Sequence, residues 1–66
     1  MENRRIKEEI IQLIKNKNEC ELGAMVSELD YSYNRVLQNV LELKRMGKIF
    51  KSAGNNGYFS LKSNVY

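Results

Sequence analysis

The sequence has no histidine, a single cysteine and no long apolar run, and each absence excludes a class of function. Histidine is the usual general acid or base and a common zinc ligand, so most acid–base sites and zinc fingers are excluded. Cys20 cannot form an internal disulfide, and we interpret it as a small, partly buried apolar residue. No pair of carboxylates stands on an inward face. We therefore predict that the protein is not an enzyme and binds no metal, cofactor or small-molecule ligand.

No apolar stretch approaches the roughly 18 residues needed to cross a bilayer. The charged start, Met1 to Arg5, is not followed by the apolar segment of a secretory signal. With 66 residues, 42% of them apolar, the chain has room for one modest core. We expect a single domain over residues 1–62, a frayed tail over residues 63–66, and a cytoplasmic, nucleoid-associated location.

Charge is distributed unevenly along the chain. Residues 1–30 carry five Lys or Arg against seven Asp or Glu, a net charge of −2. Residues 31–66 carry six Lys or Arg against Glu42 alone, a net charge of +5. This change of sign indicates that the second half faces a polyanion while the first half supports it, although a merely solvated basic surface would show the same pattern.

Apolar residues recur at helical spacing in three segments. The first helix is predicted from about Asn3 to Lys17 and the second from Leu22 to near Asp30. Ser32 is a favourable N-cap for a third helix that runs to about Met46, where Gly47 stops it. The inward stripes of the three helices are Ile6, Ile10, Leu13 and Ile14, then Leu22, Met25, Val26 and Leu29, then Val36, Val40 and Leu43.

After Gly47 the spacing of the apolar residues is no longer helical and is typical of a β-hairpin. Residues 48–52 and 58–62 read as short strands, joined by a turn over residues 53–57 that is rich in Gly and Asn. Phe59 and Leu61 are expected to face inward with Ile49, and Tyr58, Ser60 and Lys62 outward. A brief extended segment at residues 19–21 could close one edge of a small sheet.

The third helix carries more apolar surface than a small core requires. Tyr33, Leu37 and Leu41 widen the inward stripe to one side. These residues either wrap the core or form a dimer contact or the edge of a groove.

The spacing of six residues followed by a basic hairpin resembles the winged helix-turn-helix domains of bacterial, archaeal and phage regulators. The six are Leu29, Ser32, Val36, Leu43, Gly47 and Ile49. The resemblance covers Leu22 to about Lys62, and residues 3–17 fit the first helix. It implies an α+β fold in which a three-helix core is followed by a two-stranded β-hairpin wing. In that family the helix after the turn enters the DNA major groove, and the wing touches the neighbouring backbone or minor groove.

Two groups of residues are predicted to contact DNA on this basis. Arg can bridge guanine O6 and N7, and Asn or Gln can bridge adenine N6 and N7, in a groove wide enough to admit a helix. The predicted base-reading residues are Tyr33, Asn34, Arg35, Gln38 and Asn39. The predicted backbone and wing contacts are Ser27, Tyr31, Ser32, Lys48, Lys51, Asn55 and Asn56. Lys44 and Arg45 either contact phosphate or stabilise the end of the helix, and Glu42, expected to face outward, would confine DNA to the first half of the helix.

We therefore expect a sequence-specific double-stranded DNA-binding protein, a small repressor-like transcriptional regulator of the kind found in phages or mobile elements. Because one such module covers little DNA, a homodimer or cooperative oligomer on DNA is expected. Two alternatives stay open. One is an architectural, recombination or segregation accessory protein that uses the same surface, and the other is a winged helix used for contact with protein or RNA.

Overall fold

Three helices and a small antiparallel sheet make up residues 2–54 and 57–62, the part of the chain that the computed structural model describes. The elements in chain order are α1 (Glu2–Lys17), β1 (Glu19–Glu21), α2 (Leu22–Leu29), α3 (Tyr33–Arg45), β2 (Phe50–Lys51) and β3 (Tyr58–Ser60). The fold class is α+β, as predicted. Across the described ranges, no helix is long and apolar enough to span a membrane.

The core lies between the three helices and one face of the sheet. Its fully buried residues are Ile6, Ile10 and Ile14 of α1, Cys20 of β1, Met25 of α2, Val36, Val40 and Leu43 of α3, and Ile49. Each buried side chain of this size contributes about 1.5–3 kcal/mol relative to leaving it in water. The predicted inward stripes are confirmed, with Leu13, Leu22, Val26 and Leu29 partly buried around the core.

A turn of three residues joins α2 to α3. Asp30 ends α2 in the left-handed conformation, with a φ of 60°. Ser32 then caps α3, since its hydroxyl oxygen accepts a hydrogen bond from the backbone N–H of Arg35 at 3.3 Å. The predicted cap is confirmed, and this turn fixes the angle at which α3 leaves α2.

Gly47 ends α3 as the sequence predicts. Its φ is +77°, and its N–H donates to the carbonyl of Lys44 at 3.0 Å while that of Lys48 donates to Leu43 at 2.9 Å. This is the Schellman arrangement, in which a left-handed residue lets the chain turn back over the last helical turn. Ile49 is thereby brought into the core.

The sheet has three strands in the order β1-β3-β2, and the predicted two-stranded wing is wrong in this respect. The segment at residues 19–21 forms the third strand and places Cys20 opposite Phe59. The hairpin strands are also shorter than predicted. The N–H of Lys48 donates to the Leu43 carbonyl at the end of α3, so it is not available for pairing between strands. The N–H of Lys62 likewise donates to the Ser60 hydroxyl, at 2.9 Å, and not to a neighbouring strand.

Ser60 corrects a second expectation. It alternates along β3 with Phe59, which packs against the core, and it was expected to face outward. It is nevertheless only 8% exposed. Its strand is the central one, and Glu19 and Phe50 lie directly opposite it on the two neighbouring strands.

Candidate nucleic-acid interface

Four of the five residues predicted to read bases are exposed on α3, and three of them carry amide or guanidinium groups. Asn34, Arg35 and Gln38 are all exposed, within the first two turns of the helix. Arg35 and Gln38 are three residues apart and Asn34 and Gln38 four, so the three side chains project from adjoining positions. Tyr33 is 53% exposed beside them. The helix therefore presents guanidinium and amide groups together, the chemistry that pairs with guanine and adenine edges.

Asn39 does not belong to this face, and the expectation that it projects into solvent is wrong. It is 1% exposed. Its Oδ1 accepts a hydrogen bond from Lys7 Nζ at 2.9 Å, and its Nδ2 donates to the carbonyl oxygen of Arg35 at 2.8 Å. Asn39 follows Val36 by three residues and precedes Leu43 by four, which places it on the buried side of the helix. That spacing can be read from the sequence, whereas the pairing of Asn39 with Lys7 on α1 cannot.

Glu42 also differs from expectation because it is half-buried against α1 rather than fully outward. Lys7 Nζ lies 2.6 Å from Glu42 Oε1. The hydrogen bond and the positive charge of Lys7 lower the pKa of the Glu42 carboxyl below its ordinary value. Since a cation compensates its charge, the repulsion of phosphate expected from Glu42 is weakened.

The residues predicted to contact DNA around the α2–α3 turn also include both exposed and half-buried side chains. Ser27 and Ser32 are both exposed, although the hydroxyl oxygen of Ser32 also accepts the capping hydrogen bond from the Arg35 N–H. Tyr31 is half-buried, and its hydroxyl donates to Glu9 Oε2 on α1 at 2.9 Å. Its proton is therefore already engaged inside the molecule. Contact between Tyr31 and phosphate, as predicted, would require that bond to break.

Exposed cations follow α3 along the chain. Lys48 and Lys51 are exposed, as is Arg45 in the last turn of α3, whereas Lys44 is half-buried. Asn55 and Asn56, the predicted tip of the wing, lie outside the described residues. Lys48 and Lys51 thus place two exposed cations in the chain between α3 and the turn of the hairpin.

One hydrogen bond that the sequence did not suggest ties the hairpin to the rest of the fold. The Ser52 hydroxyl donates to Glu19 Oε2 at 2.6 Å. Ser52 directly follows β2, whereas Glu19 begins β1, so the bond reaches past the central strand β3. It holds the base of the hairpin against the strand that precedes α2.

Comparison of the chain with protein-family models, with curated proteins and with solved structures finds no match. The function proposed below therefore rests on the geometry and charge of the chain's own residues.

Proposed function

We propose that this chain is a winged helix-turn-helix domain that binds double-stranded DNA sequence-specifically, as a small transcriptional regulator. In this proposal α3 enters the major groove and the β2–β3 hairpin contacts the backbone or minor groove. The observation that carries it is the joint exposure of Asn34, Arg35 and Gln38 in the first two turns of α3. A homodimer or a cooperative assembly on DNA forms part of the proposal.

The arrangement of elements supports the winged-helix assignment. α2 and α3 are joined by three residues, the length typical of a helix-turn-helix. Both α1 and α2 pack against α3, while Asn34, Arg35 and Gln38 on its first two turns stay exposed. The hairpin follows α3 directly and pairs with a strand that precedes α2, so a reading helix and a flanking loop are held in one rigid unit.

The charge distribution supports an anionic partner. Arg35, Arg45, Lys48 and Lys51 are exposed on α3 and the hairpin, and the acid of this region, Glu42, is paired with Lys7. Phosphate contacts from such cations supply affinity without regard to sequence, whereas base-edge contacts supply discrimination. The exposed residues of α3 and the hairpin thus offer both kinds of contact.

A single module of this size buries only about 600–1,000 Å² on DNA. Two copies on neighbouring half-sites would double the number of base contacts and the length of sequence read. In a two-fold arrangement the half-sites would be spaced by about one helical turn, roughly 34–36 Å, or a multiple of it.

Selection of bound sequences from a random duplex pool tests the proposal. A regulator is expected to enrich a short sequence, and paired copies of that sequence at fixed spacing would report the assembly. Enrichment of no sequence despite tight binding would favour the architectural alternative. Absence of binding at moderate salt would contradict DNA binding altogether and favour a protein-contact role, to which the exposed Tyr33 and Leu41 would then contribute.

A further inference from the structure

An apolar strip runs along α3 beside its polar face. The strip consists of Tyr33, Leu37 and Leu41, which lie four residues apart and so share one side of the helix. Tyr33 is 53% and Leu41 47% exposed. Leu37 is half-buried and, within the described residues, is not among those that pack against the buried core. The strip spans about 12 Å of helix axis, and core packing does not account for it.

The charges around the strip indicate what covers it. Lys44 and Arg45 follow it in the last turn of α3, and the exposed Lys48 comes just after. Glu42, the acid of α3, faces α1 and is paired with Lys7. A second copy seated on the strip would meet this cationic border with no acid of α3 to pair with it, which disfavours association of like surfaces. An anionic partner that also displays apolar groups satisfies both features.

The major groove of DNA is such a partner, because each thymine displays its C5 methyl group there between two phosphate backbones. We propose that the apolar strip of α3 contacts thymine methyl groups in the major groove, so that the preferred site contains A·T pairs read by this strip. The inference rests on the proposed function and adds the class of base pair recognised.

The spacing of the strip makes the inference specific. Tyr33 and Leu37 are separated by about 6 Å along the helix axis, close to the roughly 6.8 Å of two base steps. With α3 lying along the groove, the two side chains reach thymines about two base pairs apart. Asn34 and Gln38 project from the neighbouring face, where an amide can bridge N6 and N7 of the adenine in such a pair. Both bases of one A·T pair are then recognised from one helix.

Replacement of thymine by uracil tests this directly, because uracil keeps the pairing and removes only the methyl group. Each thymine of the selected duplex is replaced in turn, and the dissociation constant is measured by fluorescence anisotropy. At least one position is expected to weaken binding by about fourfold, the factor given by burial of one methyl group. Tyr33→Ala and Leu37→Ala are expected to bind more weakly and to lose this sensitivity at their own positions.

Met46→Ala is the matched control. Met46 is 56% exposed at the end of the same helix, but it lies off the strip, so its replacement should leave the effect of uracil unchanged. Should Leu37→Ala fail to fold, Tyr33→Ala and Leu41→Ala provide the same comparison at exposed positions.

Two outcomes would overturn the inference while leaving the proposed function intact. One is equal affinity of the unmodified protein for the thymine and uracil duplexes at every position. The other is a DNA-free dimer, seen by sedimentation, that Leu41→Ala dissociates, because a second copy would then cover the strip. Failure to bind any duplex would instead overturn the proposed function itself.

Discussion

Gln38 and Asn39 are adjacent, chemically alike side chains on α3 with opposite environments. Gln38 is exposed, whereas Asn39 is buried and bonded to Lys7 and to the carbonyl oxygen of Arg35. Because α3 advances by about 100° per residue, neighbouring positions can serve the surface and the interior. At the residue scale, the surface chemistry and the stability of this helix can therefore be changed separately within one turn.

Replacing each residue by alanine should show that separation. Gln38→Ala is expected to cost about 1–3 kcal/mol of discrimination between the selected duplex and one changed at a single base pair, with little change in stability. Asn39→Ala is expected to lower the free energy of unfolding by about 1–3 kcal/mol, because Lys7 loses a buried partner. Binding titrations and urea unfolding measure the two quantities.

Gln12→Ala serves as the control for these variants, since Gln12 is an exposed glutamine on α1 away from α3. It should change neither discrimination nor stability appreciably. Loss of discrimination in Asn39→Ala with unchanged stability would contradict the interior role of Asn39.

The Lys7–Glu42 pair predicts a specific pH dependence. Lys7 lowers the pKa of the Glu42 carboxyl in the folded state below its ordinary value of 4.5. A carboxyl group whose pKa is lower in the folded than in the unfolded protein stabilises the fold at pH values above its unfolded pKa. This stabilisation is lost as the pH falls through the folded pKa. The unmodified protein should therefore be more stable than Glu42→Gln at neutral pH, and the difference should disappear on acidification below 4.5.

Urea unfolding of both proteins at a series of pH values measures this difference, since contributions of the other carboxylates cancel in the comparison. A difference that stays constant down to the acid limit would show that the ion pair contributes nothing.

At the element scale, the ends of the helices determine how α3 is presented. Gly47 adopts a φ of +77°, whereas Gly23 lies inside α2 without a positive φ. Gly47→Ala should destabilise the protein by about 1–2 kcal/mol because an L side chain is strained there. Gly23→Ala should stabilise it by about 0.5–1 kcal/mol, since alanine favours the helix and its Cβ meets no atom within 4 Å.

Thermal unfolding of the two variants provides the measurement, with each glycine position acting as the control for the other. If both variants changed the melting temperature by the same amount and in the same direction, the turn after α3 would not need a left-handed residue.

The helices were predictable because their signals are local. The apolar spacing gave α1 and α3 within about a residue at each end, and Ser32 and Gly47 marked the two ends of α3. Sheet pairing is not local. Residues 19–21 could be recognised as an extended segment able to close one edge of a small sheet, and β1 is an edge strand. Which strand it pairs with depends on the packed helices, and the two-stranded wing was wrong for that reason.

The same distinction applies to the candidate site. The exposure of Asn34, Arg35 and Gln38 follows from the helical period alone. The engagement of Tyr31 by Glu9 and of Asn39 by Lys7 depends on which residues of α1 face α3 and the turn, and no local pattern encodes this. Base readout by the exposed residues stays a prediction.

At the scale of the whole molecule, the charge asymmetry predicts how binding responds to salt. If about five cations contact phosphate, the logarithm of the association constant should fall with the logarithm of salt concentration with a slope of about −4 to −5. Lys48→Ala should reduce the slope by about one. Lys15→Ala, which removes an exposed cation from α1, should leave it unchanged. A slope near zero would contradict phosphate contact.

The most direct test of DNA binding through α3 is a titration of the protein with the selected duplex, followed by its two-dimensional amide NMR spectrum. We expect the amide signals from Ser32 to Gln38 and from Lys48 to Ser52 to shift on binding. The signals of Arg4, Glu8 and Gln12, on the exposed side of α1, should stay in place. Shifts confined to α1, or a spectrum unchanged by saturating DNA, would contradict the account.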